Sequence, residues 1–273
     1  MRGRRSKGAT STGASVSGSD PVTHAITVDA LRKTFERRGA PPVHAVDGLT
    51  FAVPVGHIFG LLGPNGAGKT TTLKILTTLL RPTGGTAHVA GIDVMRDPLG
   101  VRHKIVVVVQ ESAAELFLTV RDNLLTFGRF YGLKGIDLTR RAEDIMEKFG
   151  LTNDASRKAV DLSGGFRRRI QVAKALLVNT PIVFLDEFST GMDPILKRAV
   201  MELLRDEARR GRTIVLTTQI LTEAEALCDD ILIINHGREV ARGDVATIKS
   251  LASHANASLE DVFVELMRPP EGP

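Results

Sequence analysis

The stretch Gly63-Pro64-Asn65-Gly66-Ala67-Gly68-Lys69-Thr70-Thr71 directly follows the apolar run Ile58 to Leu62 and leads into the helix-like Leu73-Lys74-Ile75-Leu76. Strand, glycine-rich turn and helix, in that order, are the setting of a phosphate-binding P-loop and the unit of an α/β fold. Glycines at 63, 66 and 68 let the backbone turn tightly, so successive N–H groups converge on phosphate oxygens with no Cβ in the way. A helix starting near Gly68 adds its N-terminal partial positive charge at the same point. Lys69 is placed to bridge the β- and γ-phosphates, and the Thr70 hydroxyl to take one position on Mg²⁺. The alternative is a glycine-rich turn that binds nothing, and the filled motif between strand and helix argues against it.

A chain of 273 residues, 42% of them hydrophobic, can bury a full core. The formal charge is +5, but Arg2, Arg4, Arg5 and Lys7, less Asp20, account for +3 of it. The rest is nearly balanced, which gives no support to a nucleic-acid surface. Residues 1–25 are rich in Ser, Gly, Thr and Arg and poor in large apolar side chains, so a disordered tail is expected there. That tail is read as solvated, with loose contact to an anionic membrane surface as the alternative. No apolar run approaches the ~18 residues of a membrane helix, and Ile105–Val109 and Ile231–Ile234 have strand length instead. Cys228 is the only cysteine, so no internal disulfide can form, and it reads as a small core residue.

Segments Ala25–Phe35 and Ala45–Val53 partly alternate apolar and polar residues, as half-buried antiparallel strands do. The runs Ile105–Val109, Ile182–Leu185 and Thr213–Thr217 are continuous, the pattern of parallel strands covered on both faces. Between the first two, about Leu118 to Ala159, the pattern turns helical, with Leu124, Phe127, Phe130 and Tyr131 expected as core packing of a small helical subdomain.

The strand Ile182 to Leu185 ends in two carboxylates. Asp186 can hold Mg²⁺ through its water shell, and Glu187 can orient or deprotonate an attacking water. Upstream, Leu162-Ser163-Gly164-Gly165 precedes a helix whose first turn carries Arg167, Arg168 and Arg169. A hydroxyl, free glycine N–H groups and a helix N-terminus make a second anion site, although an ordinary N-cap has the same composition. One nucleotide has one γ-phosphate, so two such sites suggest two chains closing on each other.

With these motifs the chain resembles the nucleotide-binding subunit of an ATP-binding cassette (ABC) transporter over about Ala25 to Met267. The resemblance matches Gly63–Thr71 to Walker A, Leu162–Gly165 to the signature, Asp186 with Glu187 to Walker B, and Asp193 to the D-loop. Gln110 matches the Q-loop residue that links Mg²⁺ and the γ-phosphate to the segment after it. Phe35 sits where the family has an adenine-stacking aromatic, with plain core packing as its alternative. The implied fold is a P-loop NTPase (RecA-like) core with a mainly parallel sheet, an N-terminal antiparallel β subdomain and an inserted α-helical signature subdomain. On that pattern residues 26–250 form the nucleotide-binding domain, with the helical insertion at about 115–175, and 251–273 a C-terminal extension.

The implied cofactors are ATP and Mg²⁺. The implied partners are a second nucleotide-binding subunit, as a homodimer sandwiching two ATP molecules, and a separate integral membrane permease, without nucleic acid. The expected location is cytoplasmic, peripheral at the inner face of the membrane. Glu111 to Leu118 is the stretch expected to touch the permease, and Phe117 and Leu118 either supply apolar contact there or pack in the chain's own core. Ser258–Phe263 and Arg121–Leu124 are similar to the daunorubicin-type exporters, a less specific match.

Three positions depart from the family pattern. Gln219 stands where histidine is usual, Phe188 in place of proline, and Phe166 in place of a polar residue. An amide can donate a hydrogen bond to a phosphate oxygen but carries no charge. Slow Mg-ATP hydrolysis driving export of a small molecule, drug or lipid is the function implied. A soluble non-transport ATPase of the same family, or a subunit that binds ATP with little turnover, is the alternative. No guanine-reading or kinase motif set is present.

Overall fold

The computed structural model describes residues 24–108, 115–254 and 257–268. Two long strands, β1 (His24–Arg37) and β2 (Ala40–Pro54), pair antiparallel and are followed by β3 (Ile58–Leu62) and helix α1 (Lys69–Leu76). Next come β4 (Gly84–Val89), β5 (Ile92–Asp93), α2 (Pro98–Lys104) and β6 (Ile105–Val108). The helical region holds α3 (Val120–Phe130), α4 (Gly135–Lys148) and α5 (Gly164–Leu177). The chain returns to the sheet with β7 (Ile182–Asp186), α6 (Pro194–Arg209), β8 (Thr213–Thr218), α7 (Leu221–Leu227), β9 (Asp230–Asn235) and β10 (Arg238–Gly243). It closes with α8 (Val245–Lys249) and α9 (Leu259–Met267).

Among the described residues there are two sheets. One is antiparallel, in the order β2-β1-β4-β5, and the other runs β10-β9-β3-β8-β7-β6, parallel throughout except for the β9–β10 pair. Every residue of β3, β7 and β8 is buried. Because side chains alternate across a strand, each of these strands feeds two cores. Ile58 and Leu62, Val183 and Leu185, and Ile214 and Leu216 enter a cluster with the helices α3 to α6. Phe59 and Leu61, Ile182 and Phe184, and Val215 enter a second cluster with α1 and the antiparallel sheet. There the Phe59 ring stacks on Phe51 with centroids 5.4 Å apart. Burying each such side chain contributes roughly 1.5–3 kcal/mol, so the parallel sheet is held rigidly from both sides.

The strands and helices read from the sequence are present, but two of the aromatics expected in the helical core are not buried in it. Phe130 and Tyr131, expected in the helical core, are 83% and 38% exposed, while Leu124 is fully buried and Phe127 packs against the cluster. At 100° per residue, Phe130 lies about 120° around the helix from Leu124, off the buried stripe. Near the C-terminus, α9 packs Leu259 and Val262 into the main core and starts with a Ser258–Asp261 capping box. Of the tail 1–25, only His24 and Ala25 are described, and they open β1. Among the described residues no helix is long and apolar enough to cross a membrane.

Candidate active site

The candidate site is built at the C-terminal edge of three neighbouring parallel strands. β8 lies between β3 and β7, with Leu62 opposite Thr218 and Asp186 opposite Thr217. The glycine loop leaves β3, Asp186 ends β7 with Glu187 directly after it, and Gln219 follows β8, so the sheet register alone brings these groups to one edge. Crevices at such edges are where open α/β sheets bind ligands.

The loop is shaped by positive φ at Gly63 (154°), Gly66 (80°) and Gly68 (108°). At Gly68 a Cβ would also run into the carbonyl oxygen of Ala45, so the turn is held against β2 and no larger residue fits. Pro64 accepts from the Ala67 N–H at 3.2 Å, Asn65 is exposed, and Thr70 and Thr71 are half-buried in the first turn of α1. The first N–H groups of that helix have no partner within it and are left for a ligand at the loop. Lys69 is 7% exposed, and its Nζ donates to the carbonyls of Gly63 (2.6 Å) and Pro64 (3.0 Å). Burial lowers its pKa, while Glu187 and Asp186 pull it upward. The lysine thus lies within electrostatic reach of both carboxylates.

Asp186 is buried and accepts from Thr217 Oγ1, which leaves lone pairs for a hard cation. Glu187 is a half-buried residue in left-handed conformation (φ 49°), an arrangement that costs about 1–3 kcal/mol for a residue with a side chain. Its N–H donates to Thr217 O at 3.0 Å, and its Oε1 accepts from Gln219 Nε2 at 2.5 Å. A carboxylate hydrogen-bonded to an amide donor and a buried lysine therefore stand at one edge of the sheet. The oxygen donors of Thr70 and Asp186 suit Mg²⁺.

The second predicted anion site is carried by the start of α5. Leu162 is buried, and Ser163 caps α5 by accepting from the Phe166 N–H at 3.4 Å. Gly164 is exposed, and a Cβ on Gly165 would strike the Gly191 carbonyl oxygen, so this helix start is packed on the loop before Asp193. Asp193 caps α6 through the Leu196 N–H (3.0 Å) and sits 3.6 Å from Arg169 Nη2. The Leu196 bond, more than the nearby Arg169, holds the Asp193 carboxyl below the usual range. Among the described residues no hydrogen bond or ion pair joins Leu162–Gly165 to the glycine loop. Phe35 is 39% exposed on β1, with Lys33 Nζ 5.0 Å from its ring centre, and is not part of either core. Gln110 lies outside the described residues.

The departures at Phe188 and Phe166 are structural in character. Phe188 is fully buried in the main cluster, and the Phe166 ring carries the Arg169 guanidinium 4.3 Å from its centre. Sequence reasoning missed two buried charges. Arg168 donates to the carbonyls of Asp186, Glu187 (2.7 Å) and Phe188 (3.2 Å). Glu223, on α7, receives Ser189 Oγ at 2.7 Å, Lys197 Nζ at 2.6 Å and Thr218 Oγ1 at 3.3 Å. It ties the segment after Glu187 to the strand end before Gln219. Its only sequence signal was a glutamate on the inward face of a short helix.

Strand, glycine loop and helix at the edge of a parallel sheet, with a strand-end carboxylate pair beside them, define a P-loop NTPase. The comparison with known proteins narrows this: the "ABC transporter" family model matches residues 46–190, more than half of the chain, so the protein belongs to the ABC transporter family. It is an ATP-binding, ATP-hydrolysing cassette of that family. The chain is 41% identical over 243 residues to a doxorubicin resistance ATP-binding protein of Mycobacterium tuberculosis, covering 89% of this chain and 70% of that protein. Among solved structures it resembles an ATP-binding subunit of an ABC transporter, with TM-score 0.81 and 27% identity over 89% of this chain and 100% of that one. It also resembles a dimeric bacterial ABC transporter cassette, with TM-score 0.74 and 25% identity over 80% and 98% of the two chains.

Proposed function

We propose that two copies of this chain close head to tail on two Mg-ATP molecules, hydrolyse them, and thereby drive export of a drug-like molecule or lipid through a separate membrane permease. The observation that carries this reading is two half-sites on different elements: Lys69, Asp186, Glu187 and Gln219 lie at the sheet edge, while Ser163, Gly164 and Gly165 open α5, and among the described residues no hydrogen bond or ion pair joins Leu162–Gly165 to the glycine loop. The Ser163 hydroxyl and the glycine N–H groups of one copy are suited to the γ-phosphate held by the loop of the other. A solved dimer of a similar cassette supports the pairing.

In each composite site the N–H groups of residues 65–71 cradle the phosphates, and Lys69 exchanges its carbonyl partners Gly63 and Pro64 for phosphate oxygens. Thr70 and Asp186, with Gln110, would hold Mg²⁺, which supplies charge neutralisation across the phosphates. Glu187 accepts the proton of the attacking water, and Gln219, hydrogen-bonded to Glu187, orients that carboxylate and donates toward the phosphate. Phe35 offers an exposed π-face to adenine, and Asp193, the cap of α6, is assigned to contact with the second copy. The Phe117 side chain, 80% exposed, offers apolar contact to the permease. The resistance function named for the mycobacterial relative supports export as the direction and a drug-like cargo. Such a protein works at the inner membrane face, held there by its partner.

The test is phosphate release by purified protein together with affinity capture from detergent-solubilised membranes. Wild type should release phosphate and capture an integral membrane protein, and Glu187→Gln should capture it without releasing phosphate. Release unchanged in Glu187→Gln, or capture without any membrane polypeptide, would overturn the reading.

A further inference from the structure

Three arginines follow the signature, and the fold treats them differently. Arg169 covers the Phe166 ring and reaches toward Asp193, Arg167 is half-buried, and Arg168 is 6% exposed and turned toward the end of β7. There Arg168 Nη2 donates to the Asp186 and Glu187 carbonyls, Nε donates to the Phe188 carbonyl at 3.2 Å, and Nη1 meets Gln171 Oε1 at 2.8 Å. The middle one of those carbonyls belongs to the residue in left-handed conformation, Glu187 at φ 49°. Such a backbone state persists only where its surroundings over-determine it, and a planar guanidinium is a rigid multi-donor fork suited to pin successive carbonyls.

We infer that Arg168 is a positioning residue for ATP turnover: from the signature helix it locks the left-handed turn at Glu187, and so aims that carboxylate at Gln219 and the water site. The inference rests on the proposed role of Glu187 and adds a physical link within one chain. The helix whose N-terminus grips the nucleotide of the opposite copy is hydrogen-bonded to the segment that carries this copy's own base. Movement of α5 on closing is therefore transmitted to Glu187 through Arg168. A lysine cannot reproduce the link, because one ammonium point cannot span three carbonyls with fork geometry.

The experiment measures kcat, KM, ATP affinity and melting temperature for Arg168→Lys and Arg168→Gln, each alone and in a Glu187→Gln background. Misplacing a base by about an ångström costs on the order of 100-fold, so kcat should fall between about 10- and 100-fold, while KM and ATP affinity stay within about twofold of wild type. In the Glu187→Gln background the same substitutions should cause no further loss of residual turnover, because the residue acts through Glu187. A purely structural role would instead lower turnover additively in both backgrounds and weaken ATP binding. If Arg168→Gln does not fold, Arg168→Lys carries the test. Unchanged kcat in Arg168→Lys, or additive losses, overturns the inference while Glu187→Gln remains inactive and the function stands. If Glu187→Gln retains full turnover, the function reading and the inference both fall.

Discussion

Removing the amide of Gln219 tests the chemistry of the site most sharply, because this residue replaces a histidine and touches the proposed base. Its Nε2 lies 2.5 Å from Glu187 Oε1. A hydrogen bond to a charged group contributes roughly 1.5–3 kcal/mol, and Gln219 is exposed, so the lower figure applies. About 1.4 kcal/mol is one decade of rate, and Gln219→Ala should therefore lower kcat about tenfold with ATP affinity unchanged. Gln219→His should keep a donor and gain charge when protonated. An imidazole titrates near pH ~6.5, and the Glu187 carboxylate raises that value, so turnover in this variant should fall as pH rises through the imidazole pKa. The wild-type amide has no such titration. The assay is steady-state phosphate release across pH for the three proteins. If Gln219→Ala keeps kcat within twofold of wild type, or Gln219→His shows the wild-type pH profile, the reasoning about this contact is wrong.

Burial lowers the Lys69 pKa from its ordinary 10.5, and bound phosphate would raise it again. ATP binding must then take up a proton in the alkaline range, and affinity must fall as pH rises above the pKa of the free protein; calorimetry at alkaline pH in buffers of different ionisation enthalpy reads the proton directly, and zero uptake there refutes the assignment. Glu223→Ala should destabilise the fold by about 3 kcal/mol, the low end for a broken buried pair, because Lys197 keeps 27% of its surface in water; denaturant unfolding checks this, with Glu223→Gln losing less. Gly165→Ala sets a Cβ against the Gly191 carbonyl oxygen, and since backbone yields poorly, ATP-dependent pairing and turnover should both drop while ATP binding to the monomer persists, as equilibrium dialysis and light scattering would show.

The parallel strands were legible because burial on both faces leaves no polar alternation, as in Ile182–Leu185 and Thr213–Thr218. The glycine loop was legible because its chemistry is local: each residue's role follows from the turn it makes. Arg168 was not legible. It is flanked by two identical side chains, and only the packing of α5 against the end of β7 selects which one is buried. The left-handed turn at Glu187 was hidden for the same reason, since no local rule places a glutamate there. Phe130 and Tyr131 follow Phe127 at helical spacing, but that spacing does not show where α3 ends: Phe130 is its last residue and lies off the stripe set by Val120, Leu124 and Gly128, and Tyr131 is already past the helix. Glu223 required tertiary knowledge of Ser189 and Lys197, both distant in sequence.

Complementation between two disabled chains tests the claim of paired half-sites most directly. Lys69→Ala removes the loop lysine but leaves Ser163 intact, and Ser163→Arg blocks the signature but leaves the loop intact. Mixed in equal amounts, the two chains can build one complete site from the loop of one and the signature of the other. The account predicts that each protein alone releases almost no phosphate and that the mixture releases it well above the sum of the two. A mixture no more active than that sum, with both chains folded and able to pair, would contradict it.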